Sequence, residues 1–130
     1  MSEFYNQAAL RHFDDAEALA KNGQYDGAGH LIGFATECAV KHAIKALRPT
    51  SEAPFLHLPD LIEKAKRLLS GRKTHPMFTL LEKPNYMSGW KIDHRYGCDG
   101  TVSKELYTQW RTDASRSLGA AQIRRQSSDK

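Results

Sequence analysis

Apolar and small residues recur at helical spacing along most of this chain, and they are densest in Tyr25–Leu47, YDGAGHLIGFATECAVKHAIKAL. Leu31, Ala35, Cys38 and His42 fall on one stripe of a helix drawn through this stretch. Ala28, Ile32, Ala39 and Ala43 fall on the stripe beside it. Together the two stripes cover more than half of the circumference, which predicts a central helix touched by neighbours on several sides. At the usual rise per residue it would run roughly 30–35 Å. Asp26 is the expected N-cap, and Arg48-Pro49 ends the helix because proline disfavours the α conformation in the residue before it.

The same periodicity predicts helices on either side. Residues 3–21 form the first, with Ser2 as cap, Phe13, Ala16 and Ala20 facing inward, and Asn22-Gly23 as the stop. The short connection that follows predicts an antiparallel helical hairpin with the central helix. Gly27, Gly29 and Gly33 are expected to let two helix backbones approach closely. After a loop over residues 48–58, Leu58-Pro59-Asp60 opens a third helix with proline in its first turn. Its apolar face is Leu61, Ile62, Ala65, Leu68 and Leu69, and Ser70-Gly71 stops it.

A short helical piece is possible at residues 76–82, turning Phe78, Leu80 and Leu81 inward. The last helix is expected from the Ser103 cap to about Arg124, with Leu106, Trp110, Ala114, Leu118 and Ala121 inward and a frayed polar tail at 125–130. The predicted fold is all-α: one domain over residues 1–130, an up-and-down bundle of four main helices with a short fifth one possible.

Charge adds little to this picture. Residues 1–40 carry two basic and six acidic side chains, a balance of −4. The remaining ninety carry seventeen and nine, a balance of +8, which gives the net +4. A bias of this size permits a nucleic-acid or phosphate partner and is equally explained by surface solvation. No apolar run approaches a membrane span, and the N-terminal MSEFYNQ does not read as a leader. Cys38 and Cys98 form neither a disulfide framework nor paired metal knuckles, so a cytoplasmic chain without cofactor or metal is expected.

Residues 83–102 follow neither helical nor strand periodicity, and a long irregular stretch of this kind inside a compact domain is commonly functional. Trp90, Asp93, His94, Arg95 and Tyr96 bring a carboxylate, an imidazole, a guanidinium and two aromatic rings into seven residues. Arginine grips phosphate bidentately, histidine moves protons near neutral pH, and aromatic rings stack on bases. A second reading stays open, in which Trp90 and Tyr96 pin the loop to the bundle and Arg95 pairs with a helix carboxylate. Elsewhere, Cys38 and His42 share one helix face but lack a second ligand pair, and Glu37 and Lys41 read as a surface ion pair. His57 and His75 flank the third helix, and solvated imidazoles are expected there.

Four segments, RHFDDAEAL, GHLIGFATECAVKHAIKAL, HLPDLIEKAKRLL and YTQWRTDA, together resemble the HEPN domain superfamily over nearly the whole chain. The segment from Trp90 to Tyr96 is similar to a tryptophan-then-Arg-Tyr signature that some bacterial members carry before the last helix. The resemblance implies an all-α bundle that dimerises or works with a neighbouring protein such as a nucleotidyltransferase. Many members are metal-independent ribonucleases of toxin–antitoxin or antiviral defence systems, and others bind nucleotide or RNA without cutting it. The nuclease members carry an Arg-x4–6-His pattern, whereas here His94 precedes Arg95 and no histidine follows. The leading expectation is therefore a nucleotide- or RNA-binding module using Trp90, Asp93, His94, Arg95 and Tyr96. A ribonuclease with His94 as acid–base and Arg95 on the phosphate is the alternative, and a structural partner subunit is the third.

Overall fold

The computed structural model describes residues 4–50, 54–92 and 100–124. They form five helices: α1 (Tyr5–Lys21), α2 (Tyr25–Leu47), α3 (Asp60–Leu68), α4 (Pro76–Leu81) and α5 (Lys104–Ala120), with no strand among the described residues. The architecture is thus the expected all-α bundle, and the short piece after the third helix is a real helix. Ser2 and the tail from residue 125 lie outside the described residues.

α1 stops because Gly23 enters the left-handed region at φ 76°. Its N–H then reaches the Ala20 carbonyl, and the Gln24 N–H reaches Leu19. The chain folds straight back, and α1 lies along α2 with Ala9, Phe13 and Ala16 buried. α2 is the spine of the molecule. Of its two predicted stripes, Ala28, Ile32, Ala39 and Ala43 reach full burial, while Leu31, Cys38 and His42 lie at the margin. The buried band continues through Val40 and Ile44. Leu61, Ala65 and Leu69 from the α3 segment, Met77, Phe78 and Leu81 from α4, and Trp110, Ala114 and Leu118 from α5 complete the core.

Four expectations change. Asp26 is not the N-cap of α2; Gln24 holds that position, and the Asp26 carboxylate is drawn to the backbone ahead of α5. Pro59 precedes α3 as its N-cap, after a cis Leu58–Pro59 peptide. The three α2 glycines admit side chains rather than a second helix backbone: Leu19 faces Gly27, Trp110 and Val102 face Gly29, and the Trp90 indole covers Gly33. α5 ends at Ala120 rather than Arg124 because Gln122 turns left-handed at φ 60°, which lets the Ile123 N–H fold back onto the Leu118 carbonyl and buries the isoleucine.

Residues 83–90 are irregular in backbone, but three of their side chains are buried and the stretch is tied to α2 and α5. The Tyr86 hydroxyl bonds the Ser117 hydroxyl, which itself donates to the Asp113 carbonyl. The Met87 N–H donates to the Asp113 carboxylate at 2.9 Å, and the Trp110 indole donates to the Ser88 carbonyl at 2.9 Å. Tyr86, Met87 and Trp90 are all buried.

Candidate functional site

Of the residues singled out by sequence, Trp90 is described, and Asp93, His94, Arg95 and Tyr96 lie outside the described residues, as does Cys98. What can be read is how both flanks of that segment are fixed. On the near side, Trp90 is 1% exposed. Its Nε1 donates to the Gly29 carbonyl at 2.8 Å, and its ring stacks on His30 and meets the edge of Phe34. Buried and with its only donor engaged, the ring serves as an anchor and has no open face for a base. On the far side, the Asp26 carboxylate accepts the N–H groups of Gly100 at 2.7 Å and Val102 at 2.8 Å. Those bonds, Gly100 first, hold the Asp26 carboxyl below the usual carboxylate range. Both flanks are therefore tied to the first turns of α2.

Beside the near flank lies a groove of about 330 Å³, lined by Phe55, His57, Pro59, Asp60, Lys91 and Ile92 among others. Of these, His57 is backed by a carboxylate from α2. Glu37 is 4% exposed on α2, and its two oxygens lie 3.0 and 3.1 Å from Nδ1 of His57. The Leu58 N–H donates to the same carboxylate at 2.9 Å. An ionised carboxylate only accepts, so Nδ1 carries a proton and Nε2 points away from Glu37 on a half-exposed side chain. Phe34 packs beside the His57 ring and links it to Trp90. Phe55, on the rim, is 89% exposed.

Glu37 thus corrects the expected surface pair with Lys41. Its carboxylate is turned inward because it belongs to the helix face of Gly33, Val40 and Ile44, at spacings of i−4, i+3 and i+7. An acid on that apolar face was the signal for a buried partner; nothing in the sequence pointed to His57 as that partner. Cys38 and His42 sit at the margin of α2, and no metal-binding cluster of His, Cys, Asp and Glu occurs among the described residues. Burial pushes the imidazoles of His12 and His42 down, so they stay uncharged at neutral pH. His75 caps α4, its Nδ1 accepting the Met77 N–H at 3.0 Å.

A larger cleft of about 680 Å³ opens between α1 and α5. Within it Glu17 accepts from the Tyr107 hydroxyl at 2.6 Å, and its other oxygen accepts from Arg111 Nε at 2.7 Å. The His57 groove, by contrast, brings an imidazole, an ammonium and an exposed aromatic ring together. No helix is long and apolar enough to cross a membrane among the described residues. No protein-family model, curated protein or solved structure matches this chain.

Proposed function

We propose that this chain is a HEPN-like module that binds a nucleotide or single-stranded RNA through its phosphates, without cutting it. It would act as a homodimer or beside a partner enzyme in a bacterial defence or toxin–antitoxin system. The observation that carries the reading is the double anchorage of the segment rich in chemistry. Trp90 is fastened to Gly29, and Asp26 fastens Gly100 and Val102, so Asp93–Tyr96 lies in a stretch whose two ends are set against one helix. Side chains delivered from fixed ends give up less freedom when they order around a ligand. Arg95 then contacts phosphate, Tyr96 stacks on a base, and His94 and Asp93 supply hydrogen bonds. The resemblance in helix pattern and in the Trp90-to-Tyr96 signature supports the family assignment, and the missing Arg-x4–6-His spacing supports binding over cleavage.

Fluorescence anisotropy with labelled single-stranded RNA tests this, read beside solution mass from light scattering. Binding by the wild type that is lost in Arg95→Ala is the expected result. Undiminished affinity in that variant rejects the site, and cleavage of the probe rejects the non-catalytic reading.

A further inference from the structure

We propose that the groove beside Glu37 is a nucleotide subsite for single-stranded RNA, with His57 and Lys91 on a phosphate and Phe55 stacked on the adjoining base. The inference rests on the RNA-binding reading above and adds a surface to it that the segment Asp93–Tyr96 does not contain.

Three independent features converge there. The first is the imidazole. A nearly buried carboxylate grips Nδ1 of His57 from behind, so the ring is held at one angle and Nε2 is left on the solvent side with no hydrogen-bond partner among the described residues. In its doubly protonated form that nitrogen donates to a phosphate oxygen. The second is Lys91, which lines the same groove and supplies a mobile ammonium. Asp60, the other charged lining residue, lies in the first turn of α3, where the helix dipole accommodates it. The third is Phe55, the most exposed large apolar side chain among the described residues. An aromatic face beside a lysine ammonium and an imidazole is a pairing by which single strands are held, because every base offers a π-face and every nucleotide a phosphate. A volume of about 330 Å³ is at the low end for a small-ligand site, roughly 300–1,000 Å³, and suits one nucleotide rather than a long cofactor.

The test uses the full chain and a short fluorescein-labelled oligouridylate. Phe55 and Lys91 are exposed, so Phe55→Ala and Lys91→Ala leave the fold intact. Phe55→Ala weakens binding about 5- to 150-fold, the range for losing one base stack. Lys91→Ala lowers the slope of log affinity against log salt by about 0.7, the value for one single-strand phosphate. His57→Gln weakens binding as well. Glu37→Gln keeps an acceptor for the Leu58 N–H but loses the grip on the ring, so its effect merges with that of His57→Gln in the double variant. Wild-type affinity in both Phe55→Ala and Lys91→Ala overturns the groove. If Arg95→Ala abolishes binding while those two variants bind normally, the groove fails and the RNA-binding reading stands. If the wild type binds no oligouridylate at all, both fail.

Discussion

The Trp90 indole occupies the space in which any side chain at position 33 would have to stand, and one turn earlier its Nε1 takes the Gly29 carbonyl. Elsewhere in a helix interior, glycine to alanine stabilises by about 1 kcal/mol. Here the sign reverses. Gly33→Ala should cost about 2–3 kcal/mol, as overpacking does in a tight core, and should shift Trp emission as the ring is pushed toward water. Urea unfolding followed by fluorescence checks both, and a variant more stable than wild type contradicts the packing described.

Asp26 gives the fold an acid-sensitive contact. Its carboxyl is held below the ordinary value of 3.8 by the N–H groups of Gly100 and Val102. A lowered folded-state value means the stabilisation is complete above the ordinary value and is lost as pH falls through the folded one. Asp26→Asn should therefore destabilise at neutral pH and flatten the acid limb of the stability curve. Denaturant midpoints measured from neutral pH down to acid test this, and parallel curves for the two proteins would refute it.

At the other extreme of pH, Tyr86 and Tyr107 are the sensitive groups. Burial pushes both phenols well above their ordinary 10.0, opposed at Tyr86 by the Ser117 hydroxyl and reinforced at Tyr107 by Glu17. With folded values raised, their contribution is whole below the ordinary value and declines as pH climbs beyond it. Spectrophotometric titration of the native protein should show two tyrosines ionising late, together with unfolding. Tyr86→Phe should remove one of them and cost about 1–2 kcal/mol at neutral pH, since the Ser117 oxygen is left buried with an unmet acceptor site.

Gln122 ends α5 from the left-handed region, where a Cβ is unfavourable. Gln122→Gly should raise stability by about 0.5–1 kcal/mol with the Ile123-to-Leu118 bond kept. Thermal melting decides it, and a lower midpoint would mean that the turn forms differently.

These residues also show what sequence conveys and what it withholds. The C-terminal end of α2, the inward faces of α3 and α4, and the Ser103 cap of α5 were legible because each is a local matter of spacing or capping. The uses of Asp26, Gly33 and Glu37 were not, since each is fixed by a partner distant in the chain: Gly100 and Val102, Trp90, and His57. Local rules offered each a nearer alternative, a cap, a backbone approach or an i,i+4 pair, and tertiary contact prevailed. The end of α5 was missed for another reason: glutamine carries no turn signal at a position where glycine is usual. Of the candidate site, composition identified the segment from Trp90 to Tyr96, but it did not separate the anchor from the residues between the anchors.

Along α2, Asp26, Gly29 and Glu37 act as three mooring posts set within about 16 Å of one another by the helix rise. Everything between Trp90 and Gly100 leaves and returns through two of them, and those posts are made of one carbonyl and one carboxylate that read no sequence in the interval. The two ends of the interval are thus tied independently, one through an indole N–H and the other through main-chain N–H groups, so either tie can be cut by substitution without touching the other.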